Sequence, residues 1–263
     1  MGRLHLFEFN DQDWLPQSMR ITLMELLIGT YSLLKIFQPV FPKVHQFIEE
    51  TNTQRLQLLC AGGGGPVIDF ASYLEQKTSN KIQITLSDKF PNIERYKKLQ
   101  REGNVSIDYN NTSVDVFDLP KEMEGTRVVI NAVHHFKPPQ VEKILHDAVT
   151  DNANIVFMEP VQRTPRCFVN ILFALPIFLY LGIFGIRPFR LRRFFWTVLF
   201  PVVTIITVFD GLISTLRAYK PKEWQHMAEK IDPQQHYHWQ IGIASTPLTK
   251  VTYLMGTPKT PKS

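Results

Sequence analysis

The stretch "LQLLCAGGGGPVIDF", Leu56–Phe70, sets four consecutive glycines between two apolar runs. Glycine packs nothing and gives up the most backbone freedom on folding. Four in a row therefore serve a positive φ or a close approach of another group to the backbone. Leu56–Cys60 ahead of them reads as a strand. Pro66 behind them suits the first turn of a helix. Val67, Phe70, Ala71 and Leu74 then recur at helical spacing. The unit is strand, glycine turn, helix, the geometry in which a nucleoside-bearing cofactor approaches a backbone. A plain tight turn would carry the same residues.

Strands and helices alternate outward from this unit. Ile82–Ser87, Val105–Tyr109, Arg127–Ala132 and Asn154–Met158 read as strands. Pro91–Glu102 and Pro138–Val149 read as helices. Upstream, Met19 to about Phe37 has helical spacing, and Lys43–Glu50 forms a short helix behind Pro39 and Pro42. "PKEWQHMAEKI" is helical, and "YHWQIGIAS" and "KVTYLMGT" are two late strands. The alternation predicts a doubly wound α/β sheet with parallel strands.

Three cofactors compete for the glycines. A phosphate-binding P-loop needs Gly-Lys-Ser/Thr, and Pro66-Val67 stands there. A nicotinamide fingerprint G-x-G-x-x-G finds Gly62 and Gly64 but Val67 in third place. S-adenosylmethionine fits more of the chain. Strand two ends at Asp88, 24 residues beyond Gly64, close to the spacing at which an acid meets a ribose. "VDVFDLP" follows, where an Asp at the end of strand three can accept from an adenine amine. "VVINAVHHF" ends where a methyl group would sit.

With these motifs in order, "LCAGGGGP", "LSDKFPN", "VDVFDLP", "NAVHHF" and "IVFMEP", the chain resembles the class I S-adenosylmethionine-dependent methyltransferases over about residues 50–160. The resemblance implies a Rossmann-like, seven-stranded methyltransferase sheet with N-terminal helices and a hydrophobic helical insert. It places Cys60, Ala61, Gly62, Gly63 and Gly64 in the cofactor loop, with Asp88 at the ribose and Lys89 among the cofactor-binding residues. Asp115 falls at the adenine amine, Val116 at the ring edge and Asn131 near the sulfonium. The family usually has an acid two residues before its first loop glycine. Here Leu58 takes the acid's place and Cys60 the glycine's. His134, His135 and Glu159 are the candidate bases, beside the alternative of ordinary loop and strand-end residues. Asp88 and Asp115 could likewise be a helix cap and a turn acid. The sequence has no "NPPY"-type motif, which argues against amide- and base-directed N-methylation. O-, C- or amine methylation of a small molecule is compatible.

The 263 residues are 44% hydrophobic and 20% charged, with a formal charge of +5. That fits one sizeable core or two small domains. No Lys/Arg run is interleaved with aromatics, which argues against nucleic acid. Cys60 and Cys167 are neither a disulfide framework nor a zinc site, no metal is expected, and a reducing compartment fits. The N-terminus reads as neither a signal peptide nor a myristoylation site.

Charge is absent from Cys167–Ile186 and from Phe194–Phe209, and "RPFRLRR" lies between them. The first stretch is just long enough to span a bilayer. If both spanned, the arginines would be translocated against the positive-inside tendency. Pro176 and Pro201 break both stretches. The expectation is a monotopic insert dipping into one leaflet, with the core on the cytoplasmic face. A soluble dimer interface or a lid would show the same pattern. Trp14, Asp210 and Arg217 are candidate substrate contacts, Trp14 equally an interfacial anchor, and Asp210 with Arg217 equally a structural arrangement on one helix face.

The expected organisation is a helical cap (1–50), a cofactor-binding core (51–162), a membrane-associating insert (163–216), a closing helix and strands (217–257) and a disordered tail (258–263). The function it points to is S-adenosylmethionine-dependent methyl transfer to a lipophilic small-molecule or lipid acceptor. The alternative is a catalytically silent relative that binds lipid or a protein partner. A nicotinamide oxidoreductase is a third reading. Oligomeric state is not legible.

Overall fold

The computed structural model describes residues 2–12, 14–78, 81–102, 106–186, 189–247 and 249–259. In chain order the elements are α1 (Gln17–Leu33), α2 (Phe41–Glu50), β1 (Arg55–Leu59), α3 (Val67–Lys77), β2 (Gln83–Leu86), α4 (Ile93–Glu102), β3 (Ile107–Tyr109), β4 (Thr126–Ile130), α5 (Pro138–Thr150) and β5 (Ile155–Glu159). Then follow α6 (Pro165–Val169), α7 (Leu175–Gly185), α8 (Leu191–Phe194), α9 (Val202–Arg217), α10 (Pro221–Ile231), β6 (Tyr237–Ser245) and β7 (Lys250–Pro258). They form two compact units. The core unit is 37–160 with 220–263, and the second is 1–36 with 161–219. The expected N-terminal cap is thus divided, since α2 belongs to the core unit.

The core unit holds one seven-stranded sheet in the order β3-β2-β1-β4-β5-β7-β6. β1 to β5 run parallel, and β7 runs antiparallel between β5 and β6. The middle strands read as continuous apolar runs because helices cover both faces of a parallel sheet. β5 is buried at every position. β1, on the far side of β4, is buried from Leu56 to Leu59 and exposed only at Arg55. The helices present matching stripes. Val67, Phe70, Ala71 and Leu74 of α3 are buried, as are Val141, Ile144, Leu145 and Ala148 of α5. Burying such a side chain stabilises by about 1.5–3 kcal/mol, so these stripes fix the helices to the sheet.

Three details differ from expectation. Strand three ends at Tyr109, and Val105 lies outside the described residues. The "VDVFD" segment is a separate tight turn, closed by a bridge between Asp115 and Asp118. β4 ends at Ile130, because Asn131 turns out of the strand with φ 56°. The last strand runs to Pro258, into the segment expected as a tail, while residues 260–263 lie outside the described ones.

The second unit is helical. α6, a π turn (Asn170–Ala174) and α7 form one 21-residue helix, Pro165–Gly185, with mean hydropathy 2.3 and only 17% of its apolar window buried. Leu191–Leu199 and Val202–Arg217 form a second apolar pair, bent by 73° at Pro201. Proline lacks the donor that would continue the helix, which accounts for the bend. Leu23 and Leu26 of α1, Leu179 and Ile183 of α7, and Val203 and Ile206 of α9 share a small core.

Candidate active site

In the parallel part of the sheet the strand order reverses between β1 and β4. Open α/β sheets bind ligands at the carboxyl ends of the strands flanking such a point. The glycine loop leaves β1 there. Cys60, Gly62, Gly64 and Gly65 all have positive φ, at 54°, 51°, 88° and 47°. Cys60 occupies a left-handed conformation that costs a non-glycine residue roughly 1–2 kcal/mol. The backbone thus makes a glycine-type turn at a residue that is not glycine. A Cβ on Gly64 would stand 2.3 Å from Leu99 Cδ1 of α4, so that glycine serves close packing as well.

The loop is held from β2. The Ala61 amide donates to Ser87 O at 3.0 Å and the Gly62 amide to Asp88 Oδ2 at 2.8 Å. Asp88 Oδ1 accepts from the Phe90 amide at 2.8 Å. Two amides leave a carboxylate with spare lone pairs, enough for a pair of hydroxyls. From α4, Arg95 Nε donates to Gly63 O at 3.2 Å, a tie that nothing in the surface charge pattern of "IERYKKLQRE" marks.

Asp115 sits on the tight turn. Lys89 Nζ donates to its Oδ2 at 2.8 Å and the Phe117 amide to its Oδ1 at 3.0 Å. The Lys89 bond, then the Phe117 amide, hold its carboxyl below the usual range. Lys89 is therefore engaged with Asp115 rather than with Asp88. Val116 beside it is buried. Burial, with Asp88 and then Asp115 nearby, pushes the Cys60 thiol up to about 12. A thiol so disfavoured as thiolate is no nucleophile.

β4 and β5 supply the third group. The Asn131 amide donates to Met158 O at 2.8 Å as the chain leaves β4. Val133–His135 form one turn of 3-10 helix. Glu159, last in β5, accepts from the Val133 amide at 2.6 Å through Oε1 and pairs with His134 Nδ1 at 2.7 Å through Oε2. The His134 and Glu159 side chains are 3% and 2% exposed. A carboxylate partner is met by a proton on Nδ1. The His135 ring packs against that of His134 with centroids 4.3 Å apart and planes tilted by 37°.

Leu58, where the sequence lacks an acid, is 3% exposed and lies between Leu86 of β2 and Val128 of β4. Trp14, Asp210 and Arg217 belong to the second unit. Asp210 accepts from the Phe9 and Asn10 amides at 2.7 and 2.9 Å. Arg217 donates to Leu6 O and pairs with Glu8 and Asp11 at 3.1 and 3.0 Å. Both residues clasp the N-terminal segment to α9. Trp14 is 65% exposed and stands edge-on to Phe9.

No protein-family model matches the sequence, and no curated protein matches it. Solved structures do. A Nostoc punctiforme protein provisionally assigned as an O-methyltransferase superposes with a TM-score of 0.54 at 14% identity, over 97% of this chain and 64% of its own. Human N-acetylserotonin methyltransferase, solved with S-adenosylmethionine, gives 0.51 at 10%, over 92% and 56%. The plantazolicin methyltransferase BpumL, solved with S-adenosylhomocysteine, gives 0.51 at 9%, over 92% and 98%. This chain thus spans less than two thirds of the first two. The fold is that of the class I S-adenosylmethionine-dependent methyltransferases.

Proposed function

We propose that this protein transfers the methyl group of S-adenosylmethionine to a lipophilic small-molecule acceptor at a membrane surface. The observation that carries the reading is the loop Cys60–Gly65 at the β1/β4 reversal, with Asp88 and Asp115 beside it. The residues present fit the cofactor. Four positive-φ positions bring backbone close to a ligand, and space is open where a Gly65 side chain would stand. Asp88 retains capacity for two ribose hydroxyls, and Asp115 is held ionised to accept an amine.

The bound sulfonium would supply an already activated methyl group. The chain's own part is then alignment, exclusion of water and proton handling. Glu159 orients the His134 ring through Nδ1, so the His134–Glu159 pair is the candidate for handling the proton of an acceptor hydroxyl. The membrane part of the reading rests on the helix Pro165–Gly185, whose exposed residues include Leu172, Phe173, Ile177, Leu181 and Phe184. Such a charge-free stripe far exceeds the scattered exposure of ordinary surfaces.

The test is transfer of labelled methyl from S-adenosylmethionine into membrane lipid extracts by detergent-solubilised protein, with Glu159→Gln as comparison. Label in the organic phase, reduced in the variant, supports the reading. Labelling confined to water-soluble compounds would sink the lipophilic acceptor. A second reading, a silent relative that binds lipid, is favoured by the apolar Leu58 in the acid's place. It requires that folded protein bind neither cofactor nor product.

A further inference from the structure

Three guanidinium groups converge on one carboxylate in the second unit. Glu25 of α1 takes Arg193 Nε on Oε2 at 3.0 Å and Arg192 Nη2 on Oε1 at 3.1 Å, while Arg190 Nη1 stands 3.6 Å from Oε1. The group carries two net positive charges. Arg193 is 2% exposed and is absorbed by the fold, since its Nη1 also donates to Ile186 O at 2.8 Å. Arg190 and Arg192 are different. They remain 41% and 29% exposed, and the buried Nε of Arg192 has no partner.

Like charges held this close repel unless a second anion joins them, and the exposed parts of the Arg190 and Arg192 guanidiniums are where one can reach. What surrounds the cluster is apolar. Phe189 and Leu191, 47% and 72% exposed, alternate with Arg190 and Arg192 along the chain, and Phe184 precedes them at 62%. Arg187 lies outside the described residues. A soluble anion would meet no use for exposed phenylalanine and leucine. A lipid phosphate does, because its acyl chains take the apolar side chains while the guanidiniums stay at headgroup level.

We propose that Arg190 and Arg192 form a headgroup site that docks this hairpin on an anionic bilayer, the two residues binding lipid phosphate with Glu25 and Arg193 as their fixed backing. The proposal rests on the membrane reading above and deepens it by naming the surface. The positive tip then lies in the same leaflet that both apolar helices enter.

The experiment is flotation of the full chain with vesicles of phosphatidylcholine alone and of phosphatidylcholine with 30% phosphatidylglycerol (a composition chosen on the order of natural anionic content). Wild type is expected to prefer the anionic vesicles about thirtyfold, as two arginines near a charged surface should give, and to lose much of that preference at high salt. R190Q/R192Q should bind both vesicles alike, and R190K/R192K should keep the preference. Far-UV circular dichroism of each variant excludes unfolding as the cause. Equal binding of both vesicles by wild type would overturn the headgroup site while leaving membrane association standing. No binding of either, with the chain self-associated in sedimentation, would overturn both and make a second copy the occupant. Retention of inorganic phosphate by the cluster without any vesicle preference would also overturn it.

Discussion

The carboxylate of Asp88 accepts the Gly62 amide at 2.8 Å, so the residue expected to hold the ribose also ties the glycine loop to β2. One side chain shapes the loop and presents the acceptor. Substitution at Asp88 is therefore expected to reach cofactor binding by two routes, through loop shape and through recognition.

Cys60 tests shape. At φ 54° glycine relieves the strain and valine adds to it. Cys60→Gly should change stability by no more than about 1 kcal/mol, relief offsetting lost packing. Cys60→Val should cost about 2 kcal/mol or more. Urea unfolding of the two variants checks this, and equal stability would place the residue outside the left-handed region.

Gly64 tests close packing. Gly64→Ala combines φ 88° with a Cβ 2.3 Å from Leu99 Cδ1. A loss of about 2–3 kcal/mol is expected. Adding Leu99→Ala should recover only the part due to the clash, leaving the conformational part. A double-mutant cycle by urea unfolding measures both.

Alkaline pH tests burial around the loop. The Cys60 thiol is pushed up to about 12, and burial also raises Tyr96 and Tyr237. The folded state holds these protons more tightly than the unfolded chain, whose thiol titrates near 8.5. Stability should therefore be full below about pH 8.5 and fall as pH rises toward 12. Urea midpoints at about pH 7.5, 9 and 10.5 should fall, and less steeply in Cys60→Ala. Parallel curves would contradict the assignment to Cys60.

The His134–Glu159 pair tests proton handling. Glu159→Gln keeps the shape but no longer demands the Nδ1–H tautomer. Turnover should drop about a hundredfold while cofactor affinity stays within a few-fold. Loss of affinity without loss of turnover would make the pair a binding element.

Asp210 tests the clasp in the helical unit. Asp210→Asn weakens two charge-assisted bonds to the Phe9 and Asn10 amides, each worth about 1.5–3 kcal/mol. Chymotrypsin should then cut near Phe7, Phe9 or Trp14 faster than in wild type. Unchanged cleavage would show that Arg217 alone retains the segment.

Most of the sheet was legible because its signals are local. The apolar runs at Leu56–Leu59 and Ile155–Met158 fit strands covered on both faces, and the stripes on α3 and α5 have helical period. The two late strands were legible as strands, but not the placement of β7 between β5 and β6, since pairing joins residues far apart in sequence. Asp88 and Asp115 were legible as acids near a glycine loop. Their partners were not. Lys89 was legible as a cofactor-side residue but not as the partner of Asp115, and Arg95 gave no signal for reaching Gly63 O. Asp210 and Arg217 were read by their helical spacing, whereas their bonds run to residues some two hundred positions away. Glu25 went unnoticed because one carboxylate in an apolar helix shows nothing of the three arginines it meets.

The most direct measurement is calorimetric titration of the detergent-solubilised protein with S-adenosylmethionine and with S-adenosylhomocysteine, alongside Asp88→Ala. Binding of both compounds in the micromolar range, weakened at least about tenfold by the substitution, is the expected result. A folded wild-type protein that binds neither would contradict the methyltransferase reading and leave the apolar helical unit as the place where function resides.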